Sequence, residues 1–421
     1  MDNHSVDIFL LLLQAIFWAF GIYLLWGRNR FFAIFGMVLY LYLFPTEISY
    51  RFYPEFYDYY WGVDTWYTYY WYLSFSLLTL FIVLSHASKL KRRYNVVRYK
   101  RRHYGGLVWI FIISYSLLCT FLLYKNIGII SYQALVQNGA MGGEDTTLTM
   151  IDSFFKLLPA FTIFPIVAMI NSKWYLKLYA LYNIILSFAY NTLSGSRSDI
   201  LAVTVGLVLI WIYGRKIGMK QILTLSSVAI VFLFLAGLAF TLRGGSNDGT
   251  LAETLLMQDY SGPAYNILAV IGKDIVDPVM VLKSQFLKVL PLIGGEWMYI
   301  PIGKIAFPTV EMSGSQSMGF HPFVEGYLFA GFSGFIYNGI VVGLGLSMWN
   351  RFMSTNDEKF NRYMFAVMGS LFFALVREQT VWFVRYIYFS FIPAAFIYSR
   401  LCNINIHYFG FLLMLSKRKS S

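Results

Sequence analysis

The sequence predicts an all-α membrane protein: a single helical bundle of about eleven transmembrane helices with one large outer loop. Three observations carry this. Of the 421 residues, 58% are hydrophobic and only 13% are charged. Apolar stretches near the ~20 residues that a bilayer crossing needs recur along the chain. The basic residues collect in alternate loops. In order, the expected spans are 6–26, 31–46, 67–86, 106–124, 152–171, 175–193, 199–213, 221–241, 323–349, 361–376 and 380–399. The first has Asp2 and Asp7 at its start in place of a basic leader and no evident cleavage site, so it is expected to be an uncleaved first helix. The last apolar piece, Ile404 to Leu415, is short and ends in Lys417-Arg418-Lys419. It predicts an interfacial tail over 404–421.

Orientation follows from lysine and arginine. Arg28 and Arg30, the run from Lys89 to Arg102 within the loop 87–105, then Arg215, Lys216 and Lys220, then Arg351, Lys359 and Arg362 fall on alternate loops. Those loops are expected inside, with the N-terminus outside and the C-terminus cytoplasmic. On that assignment most of the 33 Lys and Arg lie inside and nearly all of the 21 Asp and Glu outside. The net charge of +12 is therefore an expression of topology, and no nucleic-acid partner is implied. Anchoring of the 87–105 loop to acidic lipid is a second reading of the same charges. The two cysteines, Cys119 in a span and Cys402 at an inner end, do not suit a disulfide or a metal site. No nucleotide loop and no internal repeat is present, so any energy for chemistry arrives with the substrate.

Four arginines lie at outer membrane depth: Arg197 in Gly195-Ser196-Arg197-Ser198-Asp199, Arg243 in Leu242-Arg243-Gly244-Gly245, Arg377 in Arg377-Glu378-Gln379-Thr380, and Arg385 further in. A guanidinium near hydrocarbon is costly unless it faces a polar cavity or an anion. Its planar fork suits a phosphate or diphosphate. Pairing with Asp199 or Glu378, or snorkelling to headgroups, is the structural alternative. His321 is the one outer, membrane-adjacent histidine. It precedes Pro322, which suits the first turn of a helix, and Glu325 follows at i+4 on the same face. An imidazole beside a carboxylate is a natural general base; a helix-entry histidine bonded to a loop carbonyl is the other reading.

Two outer segments complete the picture. Tyr50 to Tyr72 is crowded with tyrosine and tryptophan, which suits an aromatic belt at the interface, or a surface for stacking sugar rings. The loop 242–322 is the longest, and within it Val279 to Leu292 reads as an interfacial helix covering the bundle.

Gly195-Ser196-Arg197 after a middle span, Arg243 opening one large outer loop, and the stretch Gly319 to Asn338 with His321 at the loop's return together resemble the Wzy-type O-antigen and oligosaccharide repeat-unit polymerases. Related O-antigen ligases share this layout. The resemblance covers most of the chain as topology, and its motifs are confined to those short segments. It implies a GT-C-like helical fold without metal or other cofactor. It also implies chemistry on undecaprenyl diphosphate-linked oligosaccharide at the outer face of a bacterial inner membrane, with membrane lipid and a chain-length regulator as partners. In such a reaction negative charge builds on the leaving diphosphate, which Arg197 and Arg243 would hold first, with Arg377 third and Arg385 last; His321 would take the acceptor proton, and Glu325 would orient it or act as base itself. A ligase with another acceptor lipid and a flippase of lipid-linked sugars remain as alternatives at this stage.

Overall fold

The computed structural model of the chain describes residues 3–53, 62–89, 97–98, 104–130, 146–169, 174–194, 197–213, 267–268, 270–271, 279, 322–353, 358–377, 392–401 and 404–405. These residues are almost entirely helical. Helices α1 (Asn3–Arg28) and α2 (Arg30–Phe52) are parted by Asn29 alone. Its extended backbone and side-chain oxygen, 3.0 Å from the Phe31 N–H, cap α2. Gly62, at φ 96°, turns the chain into α3 (Val63–Lys89). Helix α4 (Tyr104–Asn126) follows. Then α5 (Thr146–Leu158) passes through a π turn at Pro159–Ile163 into α6 (Phe164–Met169), as expected where a proline removes a backbone donor. Next come α7 (Trp174–Leu193) and α8 (Arg197–Ile212). The chain is described again at α9 (Pro322–Ala330), a 3₁₀ turn (Gly331–Ser333), α10 (Gly334–Met353), α11 (Glu358–Arg377) and α12 (Ile392–Leu401). Two short strands, β1 (Val97–Arg98) and β2 (Ile404–Asn405), pair antiparallel and so tie the 87–105 loop to the start of the C-terminal tail.

Six stretches among the described residues are long and apolar enough to cross a membrane: Ser5–Arg28, Arg30–Phe52, Val63–Lys89, Gly106–Asn126, Ile151–Ala168 and Phe323–Ser347. This is a membrane-embedded helical protein. Helix α1 displays the logic on its surface. Ile8, Phe9, Leu12, Leu13, Ile16 and Phe20 face outward, whereas Asp7, Leu11, Gln14, Trp18 and Leu25 are buried. The outward face is thus the apolar one, as lipid requires, and the polar residues share the inward stripe at helical spacing. The expected span 221–241 lies outside the described residues, as does most of the loop 242–322, and α12 covers the second half of the expected span 380–399.

Two close helix pairs set the geometry. Helix α10 runs parallel to α3, with Asn338 against Tyr72 and Ser76, Gly339 against Thr79, and Gly343 against Val83. Helix α8 runs antiparallel to α11. The rings of Tyr213 and Phe365 meet at 5.5 Å, and Gly369 abuts Leu209 and Val205. In both pairs glycine lets backbones approach, the usual means of packing helices where lipid supplies no hydrophobic drive.

The stretch expected as one span over 323–349 is bent. Gly331 has φ 56°, a conformation that favours glycine, and Ala330 before it leaves the helix at φ −144°. Helix α9 folds back on α10 so closely that a Cβ at Gly334 would overlap the Gly326 carbonyl, and one at Gly326 would overlap Asn338 Oδ1. Helix α10, at 20 residues, spans about 30 Å by itself at 1.5 Å per residue. It needs no help from α9, which is free to be re-entrant.

The helix ends sort into two sets. At one end Arg28 donates to Ser85 at 2.5 Å, the Phe31 and Phe365 rings meet at 5.6 Å, and Tyr363 stacks on Tyr398 at 4.3 Å. The end residues Arg30, Lys89 and Glu358 belong to this set. The opposite set comprises the start of α1, the end of α2 and the start of α3, joined by Asp7, Arg51 and Tyr67. The start of α5 and the end of α7 are joined there by Asp152 and Tyr190.

Replacement of Gly334 by valine tests the bend. The Cβ meets backbone that cannot yield, so Gly334→Val is expected to lose on the order of 1–3 kcal/mol or more, measured as a lowered melting temperature in detergent. Gly345→Ala, where a Cβ meets open space, is expected to leave the melting temperature unchanged or slightly raised.

Candidate functional site

Arg197 is the first residue of α8 and Arg377 the last of α11. Because these helices are antiparallel, their register brings the two arginine backbones to one end of the pair, away from the Tyr213–Phe365 contact. Arg243, His321 and Arg385 lie outside the described residues.

Around the start of α8 the neighbouring helices supply polar side chains. The Tyr190 hydroxyl donates to Asp152 Oδ1 at 3.2 Å, while Lys156 Nζ sits 2.7 Å from Asp152 Oδ2. Tyr190 is buried and stacked flat on Phe155 at 3.8 Å, so its hydroxyl has a fixed position. Asp199, in the first turn of α8, acts electrostatically on that same hydroxyl, as do Asp152 and Lys156. An acid in the first turn also suits the positive end of the helix dipole. Asn191 and Ser194 continue this polar strip as buried residues at the end of α7. The feature is a mixed-charge rim at the end of the bundle where α5, α7 and α8 meet.

Glu325 lies on α9, fully buried between Val324 and Gly326. Pro322 is the first residue of α9, where its fixed φ and missing N–H carry no penalty. The position of α9 is fixed from below. Tyr72 OH donates to the Phe323 carbonyl at 2.7 Å, and Asn338 Nδ2 donates to Tyr72 OH at 2.7 Å and to Ser76 Oγ at 3.1 Å. The start of α9 is therefore level with the second turn of α10, and its carboxyl-bearing residue is buried beside the first turns of that helix. A buried carboxyl on a short helix that folds back on a membrane-spanning one is a functional candidate. Helix α9 also touches α11, the helix that ends in Arg377.

A second polar cluster was not expected from the sequence. Arg51, near the end of α2, donates through Nε to Asp7 Oδ2 at 2.7 Å, with its terminal nitrogen also 2.5 Å from that oxygen; Tyr67 OH donates to Asp7 Oδ1 at 2.7 Å. Asp7 is fully buried and Arg51 is 9% exposed, its guanidinium lying over the Trp66 ring at 5.9 Å. Further along the same contact, Gln14 Nε2 donates to Glu47 Oε1 at 3.2 Å and to Ser74 Oγ at 3.0 Å. Trp66 Nε1 donates to the Glu47 carbonyl at 3.0 Å. The expected span 31–46 stops at this point because Glu47 and Arg51 read as loop, yet α2 runs through them: each finds its partner on α1. The available signal was spacing, Asp7 and Gln14 two turns apart on one helix and Glu47 and Arg51 one turn apart on the next.

The expected aromatic run is described in part, since 54–61 lie outside the described residues. Tyr50, Trp66, Tyr69, Tyr70 and Tyr72 are buried core residues rather than an interfacial belt; of the described aromatics there, Tyr53 and Trp71 are the exposed ones. The Trp66 indole and the Tyr72 hydroxyl serve the helix contacts just described, and the Tyr70 hydroxyl donates to the Leu10 carbonyl at 2.9 Å.

No protein-family model, curated protein or solved structure matches this chain. The case for any function therefore stands on the residues and their placement.

The Asp7–Arg51 pair has a measurable signature. Asp7→Leu strands a buried guanidinium and is expected to cost roughly 3–5 kcal/mol. Adding Arg51→Met to it is expected to recover most of that loss. A double-mutant cycle on melting temperatures in detergent reads both, and additive losses would show that the two residues do not depend on each other.

Proposed function

We propose that the chain is an integral-membrane glycosyltransferase that polymerises undecaprenyl diphosphate-linked oligosaccharide repeat units into surface polysaccharide. It works at the outer face of a bacterial cytoplasmic membrane, on a GT-C-like bundle of about eleven spans. The observation that carries the reading is the antiparallel register of α8 and α11, which gathers Arg197 and Arg377 at one end of the pair. That end is opposite to the one holding Arg28, Arg30 and Lys89. By the positive-inside rule the basic end is cytoplasmic, so the two arginines face outward with the start of α1. Glu325 on re-entrant α9 adds a carboxyl at depth.

In the proposed reaction the growing glycan on one lipid diphosphate is the donor. A hydroxyl of the sugar unit on a second lipid attacks its anomeric carbon. The new C–O bond forms as the bond to the diphosphate oxygen breaks, with inversion, and the bonding pair leaves on lipid diphosphate. The acceptor proton passes to His321, oriented by Glu325, or to Glu325 itself. Arg197 and Arg243, with Arg377 and then Arg385, stabilise the charge that builds on the leaving diphosphate. The bundle contributes proximity, holding two lipid-borne reactants in one place. A chain-length regulator would act on the same outer face.

The test is genetic complementation in cells lacking the native copy, scored by glycan ladder and by protein level. Arg197→Ala, Arg377→Ala and His321→Ala are each expected to cut polymer by at least about tenfold, leaving single-repeat product at unchanged protein level. A full ladder from Arg197→Ala and His321→Ala together would sink the proposal. Repeat units retained on the cytoplasmic side would point to a flippase.

A further inference from the structure

Independently of the sugar-lipid reading, the α1–α2 contact carries a feature that the Asp7–Arg51 pair does not explain. Glu47 is fully buried within a span, and its carboxyl receives one hydrogen bond, from Gln14 Nε2 to Oε1 at 3.2 Å; its Oε2 has none. Arg51 stands one turn on and is the nearest basic residue along α2, but its Nε and a terminal nitrogen are both directed at Asp7. Among the described residues no lysine or arginine pairs with Glu47. The other titratable groups facing it, Tyr40 from α2 and Tyr70 from α3, are phenols, which bring no positive charge. An ionised carboxylate held by a single neutral donor inside hydrocarbon is among the least favourable arrangements a protein can contain.

Gln14 presents the matching deficit. Both N–H bonds of its amide have acceptors, Glu47 Oε1 and Ser74 Oγ, which fixes the amide orientation, and its Oε1 is buried without a partner. Turning the amide over would set Oε1 against the Glu47 carboxyl oxygen and leave both N–H bonds of the amide without an acceptor. The two orphaned atoms are thus both oxygens, one on each side of an existing N–H···O bond. A carboxamide and a carboxylic acid that share one such bond close a ring through a second, O–H···O, when the acid carries a proton.

We propose that Glu47 and Gln14 form a proton-binding site in the membrane interior: Glu47 carries a proton on Oε2 and donates it to Gln14 Oε1. One proton satisfies both orphaned oxygens and removes the uncompensated charge. Asp7–Arg51 is then the charged pair of the α1–α2 contact, and the Glu47–Gln14 pair is a neutral lock beneath it. A monovalent cation seated between the same oxygens is the competing occupant.

The experiment uses the full chain in lipid nanodiscs at neutral pH. Infrared difference spectra between wild type and Glu47→Gln are expected to contain a deuterium-sensitive band of a protonated carboxyl, present in wild type and lost in the variant. Gln14→Leu is expected to shift that band, since it removes the acceptor, and so reads the pair even if Glu47→Gln folds poorly. Glu47→Gln is expected to melt within about 2 °C of wild type, because a carboxamide is also neutral. Absence of the band, or a Glu47→Gln melting temperature lowered by about 5 °C or more, would overturn the proposal. So would a wild-type melting temperature that rises with sodium but not with choline and loses that response in Glu47→Gln, which would assign the site to a cation.

Discussion

Every polar group between the two ends of this bundle has to be satisfied by protein, because lipid offers no hydrogen bond, and the arrangement of helices follows from where those groups sit. The interface of α1, α2 and α3 is the clearest case. Asp7, Gln14, Glu47, Arg51, Tyr67 and Ser74 would each be costly facing hydrocarbon, and together they fix which side of each helix turns inward. An apolar pattern could not do this, since inward and outward faces are equally apolar to a lipid. On α1 the outward face is in fact the richer in large aliphatic residues. Polar side chains therefore do in this bundle what hydrophobic stripes do in a water-soluble one: they specify rotation. The same holds for α4 and α7, where Ser116 bonds Asn183 at 2.6 Å and Tyr179 bonds Ser116 at 2.7 Å.

Glycine supplies the complementary device, closeness. Gly339 and Gly343 admit α3 to α10, Gly369 admits α8 to α11, and Gly326 with Gly334 lets α9 fold flat on α10. The first two kinds of contact make long, straight pairs. The third makes a break, and the break puts Glu325 at depth on a nine-residue helix rather than on the flank of a continuous span. Without the bend at Gly331 the carboxyl would stand two turns outside the start of α10. The placement of Glu325 thus depends on two glycines meeting and on one that can take a positive φ.

Much of the architecture was legible in the sequence. Apolar runs located α1, α3, α4 and α7 to within a few residues, and alternating basic loops agree with the way helix ends group in space. What could not be read were features decided by pairing. The end of α2 was placed too early because Glu47 and Arg51 look like loop residues until Gln14 and Asp7 are seen to face them. The tyrosines and tryptophans of α3 looked interfacial because composition does not reveal which aromatic hydroxyl has a buried acceptor. The bend at Gly331 was hidden by hydropathy, which is high on both sides of it. Of the proposed site residues, Arg197, Arg377 and Glu325 fall on described helices, and what the structure adds is the helix register that relates the backbones of the first two.

Helix α3 connects these separate arrangements. Tyr67, Tyr70 and Ser74 lie at i, i+3 and i+7 and face α1, whereas Tyr72 and Ser76 lie at i and i+4 on another face and hold Asn338 and the start of α9. A helix with hydrogen bonds on both faces cannot rotate to improve one set without breaking the other. The position of α9, and of Glu325 on it, is consequently referred through α3 to the Asp7–Arg51 and Gln14–Glu47 contacts on the far side. This gives the α1–α2 cluster a role although it touches no proposed site residue. It is the fixed reference against which a short re-entrant helix, too small to be stable alone, is held in place.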